Sequence, residues 1–219
     1  MAVLRNRPTW PAAKERRPES AFRTLPQRHE SERAPVHFPV MTIVPDTKDW
    51  TWVLQHPCPA CGLDTQSFPR SAIAGMIRAN AAAWHDVLAR SGNARLRPSP
   101  GKWSALEYGC HVRDVLRLYD QRLQLMLTQA GPQYPNWDQD ATAVADRYGE
   151  QDPAVVADEL IEAAEAIAAR FGTVAGAQWQ RTGARSDGAQ FTVESFARYF
   201  IHDPIHHLYD VTGTPHAGS

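Results

Sequence analysis

The segment "FIHDPIHHLYDV", residues 200–211, combines three histidines and two aspartates with side chains apolar enough to be buried. Buried polar groups cost free energy unless a metal ion, a hydrogen-bond network or solvent satisfies them. His202 and His206 are four residues apart, so on a helix they project from one face, and one metal ion can reach both. His207 lies about 140° around the helix from His202 and is placed outside the predicted ligand set.

A catalytic metal site usually has three protein ligands and one open position, so a third ligand must come from another element. His111 is the predicted third ligand, because it stands in a polar cluster inside an otherwise apolar stretch. Asp114, one helical turn further on, can accept a hydrogen bond from a ligand histidine and fix its tautomer, and Asp203 and Asp210 are further candidates for the same role. Single His-x-x-x-His pairs also arise by chance, so the alternative is that the histidines satisfy one another in a structural network.

The segment "HPCPACG" places Cys58 and Cys61 at the spacing of a zinc knuckle or a redox pair. A structural zinc ion normally has four ligands, and since no second cysteine pair exists, His56 is the candidate third ligand. Three interpretations stay open: a second metal site, a thiol pair at the mouth of the fold, or two thiols in an ordinary turn. Cys110 is predicted to be a small buried apolar residue.

The elements that must position these residues are helices. Apolar residues recur at helical spacing over residues 69–90, and a second helix begins where Ser104 and Glu107 form a predicted capping box. A third helix follows the cap Asp152, and a fourth follows the cap Thr192 and carries the histidines.

The connections complete this prediction. A short helix is expected within residues 138–148, and residues 176–191 predict a long crossing loop or a small hairpin. Pro204 removes a backbone donor between the two histidines of the last helix, so a distortion is expected there. Four helices with one long connection and no alternating strand pattern predict an all-α four-helix bundle and argue against a parallel sheet.

Composition excludes several classes of function. The chain has 219 residues, 43% of them hydrophobic, and a net charge of -1, which favours neither nucleic acid nor an anionic membrane as a partner. No apolar run is long enough to cross a bilayer, and no secretory signal is evident. Three cysteines are too few for a secreted disulfide framework of this size, so the expected location is the cytoplasm.

The chain divides by composition. Residues 1–40 hold eight arginines and lysines, four glutamates and six prolines, without a sustained apolar period. A disordered arm is therefore predicted over residues 1–45, with Met41 as an alternative start that would make the arm an over-extended gene start. The predicted units that follow are an ordered irregular lead-in over 46–68, the helical bundle over 69–212 and a tail over 213–219.

The segment "WSALEYGCHVRDVLRLYDQRL", followed far downstream by "YFIHDPIHHLYDV", resembles the DinB-like (YfiT-type) metalloprotein superfamily. The resemblance covers about residues 46–211 and is strongest to the actinobacterial branch near the mycothiol-dependent maleylpyruvate isomerases and mycothiol S-transferases. The segment "DWTWVLQHPCPACG" is similar to the lead-in of other members of that branch.

The resemblance implies an up-down-down-up four-helix bundle that holds a divalent metal. The ligands it implies are one histidine of the second helix and two positions four apart on the last helix, which match His111, His202 and His206. In the isomerase branch the first of the two last-helix positions is a glutamate, whereas this chain has His202 there.

Two functional hypotheses follow. The first is a metal-dependent enzyme, with zinc as the expected ion and nickel or iron as alternatives, that activates water or a low-molecular-weight thiol such as mycothiol against a small electrophilic substrate. It would be an S-transferase, an isomerase or a hydrolase. The second is a non-catalytic metal-binding bundle, associated with stress, that acts as a homodimer or through a protein partner.

Overall fold

The computed structural model describes residues 48–90 and 92–216. The predicted arm over residues 1–45, with its alternative start at Met41, lies outside the described residues, as does the end of the tail. Over the described ranges the chain is mostly helical. The α-helices are α1 (Ile73–Arg90), α2 (Ala105–Thr128), α3 (Gln139–Ala145), α4 (Pro153–Thr173) and α5 (Val193–Thr212).

The four long helices, α1, α2, α4 and α5, form the all-α four-helix bundle that the sequence predicts. Helix α4 packs against α1 and α2, and α5 packs against the same two helices. The predicted short helix is α3, which lies in the connection between α2 and α4. No helix in the described ranges is long and apolar enough to cross a membrane.

Local sequence signals fix where the long helices begin. The predicted capping box is present at α2, where Ser104 Oγ accepts from the Glu107 amide and Glu107 accepts from the Ser104 amide. Asp152 caps α4 with Pro153 at the first helical position, and the Thr192 side chain caps α5. The helices that carry the histidines therefore begin at defined residues.

Large apolar side chains fill the space between the helices. Those with almost no exposed surface include Trp84, Leu123, Leu160, Ile167, Phe196 and Phe200. Helices α1 and α2 approach closely at Gly109, where an added Cβ would lie 2.9 Å from Leu88 Cδ1. A larger residue at this position, two residues before His111, would require the buried Leu88 side chain to move.

A small sheet joins the connection between α2 and α3 to the long connection between α4 and α5. Its strands are β1 (Gln133–Tyr134), β2 (Thr182–Arg185) and β3 (Gln190–Thr192), in the order β1-β2-β3. The antiparallel pair β2–β3 is the hairpin that the sequence allowed, and the sequence did not predict the short parallel pair β1–β2. Strands of two to four residues are too short to show an alternating pattern.

Pro204 lies inside α5, which continues through it. The Pro204 carbonyl accepts two side-chain hydrogen bonds from α1, from Asn80 Nδ2 and from Trp84 Nε1, each at 3.1 Å. Both donors are buried. These bonds anchor α1 to the one turn of α5 that separates His202 from His206.

Candidate metal centres

A cavity of about 980 Å³ opens between α2, α5, the lead-in and the small sheet. His111 reaches it from α2, and Asp203 and His207 reach it from α5. The lead-in contributes Trp50, and the sheet contributes Arg185. A cavity of this size lies at the upper end of the range for small-molecule pockets.

His111, Asp203 and His207 form the first candidate metal centre, called the cavity centre below. One ligand atom of each residue lies within 4.8 Å of the other two. Asp203 Oδ1 is 3.3 Å from His111 Nε2 and 3.9 Å from His207 Nε2, so the same carboxylate oxygen stands between the two imidazoles.

Buried polar atoms in the cavity centre lack hydrogen-bond partners among the described residues. Both ring nitrogens of His111 and Oδ1 of Asp203 lack a partner. His111 Nε2 lies 3.3 Å from Asp203 Oδ1, but this contact does not have the geometry of a hydrogen bond. An unsatisfied buried polar atom costs about 1–3 kcal/mol. A cation coordinated by Asp203 Oδ1 and one ring nitrogen of His111 would remove that cost for those two atoms, so the residues present fit a metal ion.

Aromatic rings and a second carboxylate hold the cavity centre in place. The His111 ring stacks on Trp137 at 5.4 Å between centroids and 8° between planes, and Trp103 lies 5.4 Å away at a steeper angle. Asp210 Oδ2 lies 3.0 Å from His207 Nδ1, which leaves His207 Nε2 directed toward Asp203. A carboxylate that binds the other ring nitrogen in this way fixes the orientation of a metal-binding histidine.

Electrostatics keep the Asp203 carboxylate ionised. Burial acts to raise the pKa of Asp203, but His111 and His207 act more strongly in the opposite direction and lower it to about 2. Asp203 is therefore a negatively charged oxygen ligand at neutral pH.

Cys58, Cys61, His202 and His206 form a second candidate centre, called the cysteine centre below. One ligand atom of each residue lies within 4.8 Å of the other three, and Cys58 Sγ lies 3.5 Å from His206 Nδ1. All three cysteines of the chain are free thiols and are buried. His202 is also buried, and its Nε2 has no hydrogen-bond partner among the described residues.

The cysteine centre favours uncharged side chains in the absence of a cation. Burial raises the pKa of Cys61 to about 12, and burial together with His206 lowers the pKa of His202 to about 4. Trp50 lies over both histidines, with ring centroids 5.4 Å from His202 and 4.9 Å from His206. Neither cysteine lines the cavity.

The structure divides the three predicted ligands between the two centres. His111 does not group with His202 and His206, because the residues of α5 that face it are Asp203 and His207. That pair also has four-residue spacing but is displaced by one position, or about 100° around the helix. The sequence interpretation left His207 out of the ligand set and considered Asp203 only as a carboxylate that supports a ligand histidine, and the signal that could have found both as ligands is this second pair four residues apart.

Two further predicted roles require correction. The Asp114 carboxylate accepts hydrogen bonds from Arg113 and from the Tyr148 hydroxyl at 2.6 Å, and within residues 48–90 and 92–216 no histidine nitrogen donates to it. The carboxylates beside the histidines are Asp203 and Asp210. His56, the candidate ligand next to the cysteines, is exposed and belongs to neither centre. Cys110 is buried, as predicted.

A mostly helical bundle with two clusters of metal-binding side chains defines a class of helical metalloprotein folds. The family model of the DinB superfamily matches residues 82–211, and the chain belongs to this superfamily. The solved structure of YfiT from Bacillus subtilis, described as a probable metal-dependent hydrolase with an unusual four-helix bundle topology, is similar in fold. It has a TM-score of 0.62 and 18% identity, over 68% of this chain and 88% of YfiT. No curated protein matches the chain.

Proposed function

We propose that this protein is a metal-dependent enzyme that binds a divalent cation through His111, Asp203 and His207 and acts on a small molecule in the adjoining cavity. The observation that carries the proposal is the convergence of these three ligand atoms on the cavity wall, with buried atoms left unsatisfied. Three protein ligands beside open space are typical of catalytic rather than structural metal sites.

The ligand types limit which metal ions the cavity centre can bind. Two imidazoles and one carboxylate suit zinc, and they suit iron(II) equally well. We propose zinc as the resident ion, with nickel or iron as alternatives. A carboxylate at the first of the two α5 positions also agrees with the pattern that the resemblance to the isomerase branch implies, which His202 did not.

A divalent cation here would lower the pKa of a bound water or thiol and so supply a nucleophile near neutral pH. The protein's own part is to fix the ligands and to orient the substrate. Asp210 holds the His207 ring, and Trp137 and Trp103 limit movement of the His111 ring. A cavity of about 980 Å³ has room for a low-molecular-weight thiol and a small electrophile together, which favours thiol transfer.

Hydrolysis is the second candidate reaction, and the description of YfiT as a probable metal-dependent hydrolase favours it. The same residues would serve, with water in place of the thiol. The two reactions differ in one requirement, because only the transferase needs a thiol as a second substrate.

Arg122 indicates an anionic group on the substrate. Arg122 lines the cavity, but only 4% of the residue's surface is exposed. Its Nε has no hydrogen-bond partner among the described residues. Arg122 donates to the Pro135 carbonyl at 2.7 Å and lies over Tyr119 and Tyr134, but no described carboxylate forms an ion pair with it. A carboxylate or phosphate of the substrate would supply the missing counter-charge.

The test begins with metal content. Full-length protein and the variants His111→Ala and Asp203→Asn are analysed for bound metal, with His56→Ala as the control because His56 is exposed. We expect the two ligand variants to lose about one equivalent per chain, whereas the control keeps it. Full metal content in both ligand variants would contradict the proposed centre.

Activity then separates the candidate reactions. Small electrophiles with and without a carboxylate are supplied to the metal-loaded protein in the presence and absence of a low-molecular-weight thiol. Turnover that requires the thiol identifies a transferase, and turnover without it identifies a hydrolase. An Arg122→Met variant should raise KM about 10–100-fold for the carboxylate substrates and leave neutral ones unchanged. Bound metal without turnover of any substrate would instead favour the non-catalytic bundle.

A further inference from the structure

The cysteine centre has no part in the proposed reaction, yet it collects four strong metal ligands in one place. Two come from the irregular lead-in and two from α5, which are far apart in sequence. The cysteines lie in a tight turn in which the Gly62 amide donates to the Cys58 carbonyl at 2.9 Å. Gly62 adopts φ +78°, a conformation that favours glycine, so the turn that brings both thiols to one side depends on it.

We propose that Cys58, Cys61, His202 and His206 bind a structural zinc ion that fastens the lead-in to α5. Two thiolates and two imidazoles are a donor set that zinc prefers in closed four-coordinate sites. The pairs Cys-x-x-Cys and His-x-x-x-His supply it here from two separate elements. The proposal is independent of the reaction at the cavity centre.

The distances fit a tetrahedral ion. Bond lengths of about 2.3 Å to sulfur and about 2.0–2.1 Å to nitrogen place neighbouring ligand atoms about 3.5 Å apart around a tetrahedron. Cys58 Sγ and His206 Nδ1 are 3.5 Å apart, and all four ligand atoms lie within 4.8 Å of one another. Small movements of the side chains would therefore complete the coordination.

The charge of the four ligands and the carboxylate next to His206 also agree with a zinc ion in the cysteine centre. Two thiolates neutralise Zn²⁺, so the occupied centre carries no net charge into a buried environment. Binding releases the two thiol protons to solvent. The His206 nitrogen that faces away from Cys58, Nε2, is 3.8 Å from Asp210 Oδ2, the kind of carboxylate that supports a ligand histidine.

The lead-in has little regular structure, although its cysteine turn also bonds to the tail, where the His216 amide donates to the Cys61 carbonyl at 2.7 Å. Between residues 48 and 68 its regular structure is one short 3₁₀ turn, Thr51–Leu54. Arg198 of α5 donates to the carbonyls of Thr65 and Phe68, which ties down the end of the segment next to α1. The zinc ion would tie down its middle, at the turn that carries both cysteines, and would hold Trp50 against the histidines.

The experiment replaces the resident metal of the full-length protein with Co²⁺ and records its absorption spectrum. Thiolate ligands give cobalt a charge-transfer band in the near ultraviolet, whereas histidine and carboxylate ligands do not. We expect the band in the wild type, a weaker band in each of Cys58→Ser and Cys61→Ser, and its loss in the double variant. The matched control is Cys110→Ser, because Cys110 is also a buried free thiol but lies in neither centre.

His111→Ala separates this inference from the proposed function, because it should keep the cobalt–thiolate band while losing the cavity metal. If the cysteine variants fail to fold, the wild-type spectrum decides alone. Absence of the band in metal-loaded wild type would overturn the proposal. A Cys58–Cys61 disulfide in protein purified and mapped without reductant would overturn it as well, since a disulfide leaves no thiolate ligand.

Discussion

The cavity centre and the cysteine centre use adjacent residues of the same helix but differ in what surrounds them. His111, Asp203 and His207 border about 980 Å³ of open space, whereas the two cysteines are buried and do not line the cavity. The first centre offers three ligands and the second offers four. His202 and His206 also line the cavity, so access alone does not separate the two centres. Three ligands beside open space suit catalysis, and four ligands that include two thiolates suit a structural zinc ion, so ligand number and ligand type separate the two roles.

The two centres also differ in the chemical type of their ligand atoms. An ionised oxygen stands between two imidazoles in the cavity centre, and such harder donors leave room for exchangeable ligands. The cysteine centre offers two thiols, which hold zinc strongly once deprotonated. We therefore expect chelators to strip the cavity centre first and the cysteine centre last.

The largest expected effect comes from removing metal from the cysteine centre. Ligand binding stabilises the folded state by about 3–4 kcal/mol when free metal exceeds the dissociation constant by a few hundredfold. A Cys58→Ser, Cys61→Ser double variant should therefore melt about 10 °C below the wild type, since 1 kcal/mol corresponds to roughly 2–4 °C at this chain length. Calorimetry measures this. If Cys110→Ser loses as much stability as the double variant, the effect is not due to metal.

The next largest effect distinguishes the centres by activity. His111→Ala should lower kcat/KM at least about 100-fold, because even the loss of a second-shell partner costs 10–100-fold. The same variant should change the melting temperature less than the double cysteine variant does. The measurement is kcat/KM beside a melting curve for each protein. The reverse pattern, with stability lost and activity kept, would exchange the roles assigned to the two centres.

A smaller effect is expected at the start of α2. Burial acts to raise the pKa of Glu107, but hydrogen bonds from Arg97 and Ser104 together outweigh it and hold the pKa below its ordinary 4.5. Because the folded-state pKa is depressed, this stabilisation is present above pH 4.5 and is lost as the pH falls through the folded-state value. Glu107→Gln should cost about 1–3 kcal/mol at neutral pH.

Denaturant unfolding at several pH values tests this prediction. The difference between Glu107→Gln and the wild type should shrink as the pH falls below 4.5. Since Glu107 lies one helical turn before His111, the variant should also weaken metal binding at the cavity centre while the cobalt–thiolate band persists. A difference in stability that stays constant with pH would show that the carboxylate charge is not the source.

The smallest effect is expected at Asn80, whose side chain donates to the Pro204 carbonyl. Pro204 lies within both ligand pairs of α5, between the first and the second residue of each. Asn80→Ala should cost about 1 kcal/mol, because Trp84 still donates to the same carbonyl. Its effect on metal affinity should be similar at both centres, since this turn of α5 supports both. Metal titrations of each centre in the variant measure this, and a change at one centre alone would show that the turn is not shared.

The helices could be predicted well because their signals are local. The Ser104–Glu107 box and the Thr192 cap each lie within a few residues of the helix start that they define. The parallel strand β1 could not be predicted, because its two residues pair with a strand about fifty positions later in the chain.

The histidines and cysteines of the two candidate centres could be singled out from the sequence, but the way in which they group could not be predicted. Periodicity places His202 and His206 on one face and Asp203 and His207 on another, but it does not say which face meets His111. That choice depends on the rotation of α5 about its axis, which the packing of the whole bundle sets. The position of the cysteines depends on the path of an irregular segment, for which no periodic signal exists.

Asp210 has a consequence for how the two centres behave together. Its Oδ2 lies 3.0 Å from His207 Nδ1 in the cavity centre and 3.8 Å from His206 Nε2 in the cysteine centre. The first distance lies within hydrogen-bond reach and the second lies beyond it, so a movement of this oxygen toward the His206 ring would lengthen its contact with the His207 ring. An ion that draws Asp210 toward one ring changes the affinity of the other centre, and thermodynamic reciprocity requires the same factor in the opposite direction. We therefore expect metal titrations of this protein to require two interacting sites that share one neighbouring carboxylate rather than two independent dissociation constants.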